Sequence, residues 1–563
     1  RLVMLYVDHE VELPKELSYF VKKIHGVQYL YHYTEFKRVN GKFHHKEVAI
    51  GKAIVDDSTG EPIALMPNDK YFELMKTPAP INAAVKKRGR APLKESKELS
   101  YNELADGSVL GFGYGIACLK IAKDIGLYQI LVDTFGDEVT IKLLSIAAYY
   151  AKDGGGLTGI EYFTTRQMCF TNTIINDSQA CALFSSIKEN DTDEFFRKWI
   201  KLTTESHLAC YDVTSISSYA TGLSEVSKGY NRDRENLDQV NFGLFATLDT
   251  GIPIYYNIYN GCINDFSNLP YVLANARNLG LSQQLVLVTD GGFATVNTVH
   301  NLQEHSQPFL MGAPIAHCKG ITKEVIKWRN ENEANISDFV NEFDSPLEAR
   351  VVPYTLGDVQ GSLIMYLDPA KEALQKETLK KKILNAQYDV ENSQEYSDAL
   401  ARKVKGFYTV TQNDDNSFTY TRNDEAIRTD LMLCGCMALF TTYPNFTAST
   451  ALRTYNNKDV VEKCFAELKN DILGERLYVH SDEALTGKMF VTFLSLILHK
   501  SLQNKLRPWI RKNRSSLDVA FSILSDIECK KCGNQWLLTK VFTSHQKELI
   551  KLLQLPVNFL DHK

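Results

Sequence analysis

Gln284-Leu-Val-Leu-Val-Thr-Asp290-Gly-Gly-Phe293 sets four aliphatic residues in a row, two positions ahead of an acid and a pair of glycines. A run this short and this apolar predicts a strand covered on both faces, which requires layers of structure above and below it. The Gly-Gly lets the chain turn sharply and brings backbone close to whatever Asp290 holds. A second acid stands in a similar place. His207-Leu-Ala-Cys-Tyr-Asp212-Val-Thr-Ser215 is another short apolar run ending in Asp. An Asp at a strand end is common turn chemistry, so neither acid identifies a site by itself.

Between the two acids, Asn241 to Gly261 reads as two strands joined by a tight turn at Asp249-Thr-Gly, and Asp249 is taken as structural. Helices are expected from Asn268 to Leu279 and from Ala294 to Glu304, then a short strand within Pro308 to Pro314. A third acid lies far downstream, in Tyr455-Asn-Asn-Lys458-Asp-Val-Val-Glu462-Lys-Cys-Phe-Ala-Glu-Leu-Lys469. Tyr455, Glu462 and Lys469 recur every seven residues, close to two helical turns, and so project from one face with Lys458 beside them. Val461, Phe465, Leu468 and Ile472 form a separate apolar stripe. An ordinary amphipathic helix with a Lys458/Glu462 pair on a solvated face has the same pattern.

The spacing Y-x2-[R/K]-x3-E-x6-K resembles the signature of the DDE transposases of bacterial insertion sequences, in the branch whose catalytic domain carries a large β insertion. The resemblance implies an α/β fold: an RNase H-like catalytic core interrupted by a mainly β insertion, preceded by a small β-rich module and an all-α domain. It implies that Asp212, Asp290 and Glu462 are the catalytic, metal-binding acids. Two Mg²⁺ ions, with Mn²⁺ as a substitute, would serve the two ends of an in-line phosphodiester displacement. Asp212 would bridge both ions, with Asp290 and Glu462 each completing one. Lys458 and Lys469 would meet DNA phosphates, and Tyr455 would hydrogen-bond one. The family usually has Arg where this chain has Lys458, and Lys lacks the bidentate phosphate geometry.

The rest of the chain is consistent with a large soluble enzyme. Its 563 residues suggest about four domains. A net charge of −5 argues against tight nonspecific DNA binding, not against an enzyme acting on DNA, and any basic surface has to be local. Eleven cysteines, many in apolar segments, fit a reducing compartment rather than a disulfide scaffold. The apolar run Met489 to Leu498 is too short for a bilayer and reads as a buried helix. A bacterial, cytoplasmic, nucleoid-associated protein without a membrane partner is expected. The start at Arg1 rather than Met suggests a trimmed N-terminus.

The expected organisation runs as follows. Residues 1–80 form a β-rich module, similar to the N-terminal module of one subgroup of that branch. Residues 81–100 are a basic linker, in which Arg88-Gly-Arg90 could lie along a minor groove or simply solvate the linker. Residues 101–204 are helical, 205–320 carry the first part of the core, 321–432 the β-rich insertion, 433–505 the second part of the core, and 506–563 a helical end. Cys529-Lys-Lys-Cys532 has zinc-like spacing but no convincing further ligands, so no zinc site is read there. The function expected is a transposase that binds terminal inverted repeats in double-stranded DNA, cuts, and joins 3′ ends to a target, as a homodimer on paired ends. The alternative is a decayed or repurposed transposase that only binds DNA. A hydrolase using Asp212 and Asp290 as a carboxylate pair leaves the cationic helix unexplained.

Overall fold

The computed structural model describes residues 10–77 and 109–556, apart from 25–26, 40–41, 57–58, 168–173, 205–207, 221, 332–338, 343–344, 394, 396, 414–416, 475 and 533–534. The chain divides into two units, Arg1–Glu98 and Leu99–Lys563. In the first, strands β1 (Val11–Glu12), β2 (Phe20–Ile24), β3 (Val27–Val39), β4 (Lys42–Val55) and β5 (Pro62–Pro67) form an antiparallel sheet in the order β1-β5-β4-β3-β2. Leu30, Ile50 and Leu65 are its buried centre. Asn68 caps the helix Asp69–Met75 by accepting from the Lys70 and Tyr71 amides. Arg88 and Arg90 lie outside the described residues.

The second unit opens with β6 (Val109–Gly111) and a set of helices, among them Leu127–Lys152, Asp177–Ser186 and Glu189–Thr203. The helix Asp482–Asn513 packs against the first two of these, and its stretch from Met489 to Leu502 is buried on every side. No helix among the described residues is long and apolar enough to cross a membrane. Lys488 begins that stretch only 2% exposed. Its Nζ donates to the Leu477 carbonyl and sits beside the Tyr150 and Tyr478 rings, and burial pulls its ammonium down to about 8. Between that value and 10.5 the unfolded chain binds a proton that the folded chain lacks, so stability rises with pH across this window. Below it the buried charge costs on the order of 3 kcal/mol, against roughly 1 kcal/mol contributed by the hydrogen bond. Lys488→Met is therefore expected to stabilise the chain by about 1–2 kcal/mol at pH 7 and to flatten the rise between pH 8 and 10. Thermal melts across that range check it.

The centre of this unit is a nine-stranded sheet. It holds β7 (Leu208–Ser218), β8 (Asp238–Thr247), β9 (Pro253–Asn260), β10 (Val286–Thr289), β11 (Phe309–Gly312), β12 (Phe339–Glu342), β13 (Ser345–Leu356), β14 (Val359–Leu367) and β17 (Cys436–Thr441). Their order is β12-β13-β14-β17-β11-β10-β7-β8-β9. β7, β8 and β9 run antiparallel, β10 is parallel to β7, and β11 is parallel to β10. All four residues of β10 are buried, as the continuous apolar run requires.

The segment expected as a mainly β insertion does not form a sheet apart. β12, β13 and β14 extend the central sheet, because Leu363 to Leu367 are buried and need neighbours on both edges. Among the described residues only β15 (Tyr408–Gln412) and β16 (Phe418–Arg422) pair separately, and the helices Lys319–Asn330, Pro369–Asn392 and Asp424–Leu433 hold more of the described segment than its strands. β17 returns to lie antiparallel between β11 and β14. Near the C-terminus, β18 (Glu528–Cys532) pairs with β6 and with β19 (Gln535–Leu538), so the last segment joins the helical layer that precedes the sheet.

Candidate active site

Asp212 lies in β7 and Asp290 directly after β10. Val288 is opposite Cys210 in this parallel pair, so two residues further on the acids come level. Gly291 packs against Gly312 at the end of β11, where an added Cβ on Gly312 would stand 2.5 Å from the Tyr455 hydroxyl. Gly312 leaves room for the phenol. Thr447 starts the helix Ala448–Asn456 with a capping box, and this helix packs on β10 and β11. Tyr455, in its last turn, donates from Oη to Asp290 Oδ1 at 2.8 Å.

The chain then tightens at Asn457 and Lys458, and a new helix runs Asp459–Ala466. Tyr455 and Glu462 thus belong to successive helices, where one continuous helix was expected. Two adjacent asparagines, poor helix formers that compete for backbone bonds, mark the break. Val461, Phe465, Leu468 and Ile472 are all buried, and Asp459–Ala466 packs on β7 and β8 with Glu462 facing out. Lys458 Nζ lies 3.0 Å from Glu462 Oε1 and 3.7 Å from Asp290 Oδ1. Its ammonium is the hub of the cluster.

The electrostatics follow from this packing. Burial pushes the Asp212 carboxyl up to about 6, opposed by the Val213 amide that it accepts from and by Arg232 and Lys458, while Asp290 adds to the push. Burial works against the charge on Lys458, yet the Glu462 hydrogen bond and the fields of Asp290 and Asp212 outweigh it and hold the ammonium above its ordinary value. Burial and the Asp290 carboxylate push the Tyr455 phenol well up, so it remains a donor.

Lys469 does not gather with these residues. It sits in a π-helical turn, Glu467–Leu473, and pairs with Asp233 at 2.6 Å. Asp233 belongs to the connection from β7 to β8, which sequence reasoning passed over. In the same connection Arg232 pairs with Asp265, whose Oδ1 accepts from Tyr259 Oη at 2.6 Å, and Glu235 pairs with Arg476 at 2.8 Å. The run Lys228-Gly-Tyr-Asn-Arg-Asp-Arg234 was the signal available for it.

A family model described as the transposase DDE domain matches residues 204–498, more than half of the chain. The chain belongs to the DDE transposase family. Among solved structures, this transposase is similar to the piggyBac transposase in the cryo-EM structure of its synaptic complex with hairpin DNA. That likeness has 9% identity, covers 76% of this chain and 77% of the other, and has a TM-score of 0.34, from which nothing about the site follows. No curated protein matches the sequence.

Membership implies transposition chemistry, and the family generally uses divalent metal ions. Among the described residues no three His, Cys, Asp or Glu side chains stand close enough together to enclose a metal. A cation already lies among the acids, however. The Lys458 ammonium is held by two carboxylates and acts on a third, and this all-oxygen donor set is the chemistry that Mg²⁺ takes. These oxygens suit such an ion by their chemistry.

Proposed function

We propose that this transposase cuts DNA at the terminal inverted repeats of an insertion sequence and joins the 3′ ends to target DNA, through Asp212, Asp290 and Glu462. The observation that carries the reading is that Lys458 bridges Asp290 and Glu462 while Asp212 stands level with Asp290 on the neighbouring strand. The order β9-β8-β7-β10-β11, three antiparallel strands followed by two parallel to β7, supports reading the sheet as an RNase H-like core.

Each residue has a task in this scheme. The Val213 amide fixes one oxygen of Asp212, and Tyr455 fixes one oxygen of Asp290. Glu462 completes the set from its helix. Two Mg²⁺ ions held by these acids would activate the attacking oxygen and stabilise the leaving 3′ oxygen. Lys458, released from the acids, turns to a phosphate of the bound strand. Lys469, Arg88 and Arg90 are further DNA contacts in this reading, with Lys469 held by Asp233 until DNA arrives. Two DNA ends have to be handled together, which calls for a homodimer.

The test is strand cleavage of terminal-repeat DNA by the full chain. Cutting is expected with Mg²⁺ and with Mn²⁺, and binding without efficient cutting with Ca²⁺, whose looser coordination positions the oxygens poorly. Binding that never leads to cutting with any of these ions would leave only the DNA-binding alternative.

A further inference from the structure

The connection from β7 to β8 carries Lys228, Tyr230 and Arg234, all exposed, and Tyr230 is 84% exposed. An aromatic ring this open usually sits on a loose loop, but here the backbone beneath it is tied down. Gly229 presses against Gly261, where an added Cβ would stand 1.8 Å from the Gly261 carbonyl oxygen. Gln239 Nε2 donates to the Tyr230 carbonyl at 3.1 Å. Asn231 Oδ1 accepts from the Asp233 amide at 2.8 Å, and Asn231 Nδ2 donates to Ser217 Oγ at 3.0 Å.

Three anchors place this platform beside the acids. The Arg232 amide donates to Ser215 Oγ at 2.9 Å, three residues along β7 from Asp212, which is about 10 Å. Asp233 pairs with Lys469, seven helical residues past Glu462, again about 10 Å. Glu235 pairs with Arg476 just beyond. The Asp233 carboxylate is thereby engaged, and the exposed charges flanking Tyr230 are the cations Lys228 and Arg234.

The geometry points to Tyr230 as a stacking platform for an unpaired base of single-stranded DNA, with Lys228 and Arg234 taking the phosphates on either side. The inference rests on the DNA-cutting reading of the neighbouring acids and adds the form of DNA held there. Stacking needs an open base face, which a duplex does not offer, and it tolerates any sequence. The ring therefore acts after the strands have separated near the cut.

The experiment compares the full chain with its Tyr230→Ala, Tyr230→Trp and Tyr388→Ala variants. Tyr388 is another exposed tyrosine, 67% exposed on the helix Pro369–Asn392. Fluorescence anisotropy reads the affinity for an oligothymidine strand and for a blunt duplex of equal length. Tyr230→Ala is expected to lose about 5- to 100-fold in single-strand affinity with duplex affinity kept. Tyr230→Trp is expected to keep single-strand binding, with its added indole fluorescence quenched by the strand, and Tyr388→Ala to match the parent. Equal losses on both DNA forms, or no loss on the strand while the parent binds and cuts duplex, overturn the platform alone. A change in oligomeric state without a change in DNA affinity assigns the ring to a protein contact and overturns it too. A parent chain that binds neither form overturns the platform together with the reading on which it rests.

Discussion

Asp212→Asn, Asp290→Asn and Glu462→Gln are each expected to lower DNA strand cleavage by about 10³-fold or more, because on the proposed reading each removes a metal ligand and forfeits several kcal/mol of charge stabilisation in the transition state. The folded chain is expected to survive all three changes. Asp290 and Glu462 are exposed, and Asn at position 212 keeps the oxygen that accepts from the Val213 amide. Asp212 separates function from stability most sharply. Its carboxylate is disfavoured by burial, so a neutral amide of the same shape should hold or raise the melting temperature while cleavage disappears. Cleavage assays run beside thermal melts and end-binding titrations check this. A variant that cuts at the parental rate would remove its residue from the site.

Glu467→Ala is expected to cost about 3–5 kcal/mol of stability, since it strands a buried ammonium. Lys500 is 4% exposed by its side chain and Glu467 12%, with Nζ and Oε1 2.8 Å apart, and Gln503 Nε2 donates to the same oxygen at 2.9 Å. Removing one partner leaves the other charged in a dry place. Replacing both by methionine removes the charges together and is expected to return stability to within about 1 kcal/mol of the parent. Urea titrations of the single and double variants measure the coupling, and additive effects would show that the pair is not coupled. Glu467 opens the π-helical turn that follows the Glu462 helix, so the single variant is also expected to lose cleavage as temperature rises.

How much of this was legible in the sequence varies by element. The strand before Asp290 could be read because burial on both faces leaves a continuous apolar run. The stripe Val461, Phe465, Leu468 and Ile472 could be read because a helix records burial as a period. The same period misled where it ran through Asn456 and Asn457, since Tyr455 reaches Asp290 from the preceding helix. Lys469 keeps the seven-residue spacing, but the intervening π-helical turn lies beside Asp233, and its partner is 236 residues away. Pairing over such distances leaves no local trace. For the same reason the apolar runs at Arg350-Val-Val-Pro-Tyr354 and Leu363-Ile-Met-Tyr-Leu367 could be read as strands, now β13 and β14, but their place in the central sheet could not.

The position of β17 fixes an order in time. Its Thr441 hydroxyl donates to the Phe309 carbonyl across 132 residues, and this strand joins β11 to β14. A chain emerging from the ribosome at roughly 5–20 residues per second therefore holds β11 with an unpaired edge for on the order of 10 s. Throughout that interval it carries Asp212 and Asp290 but neither Lys458 nor Glu462. On the proposed assignment the nascent protein lacks one of its three acids, and a chain that stops before Cys436 leaves an open strand edge for a neighbour to pair with.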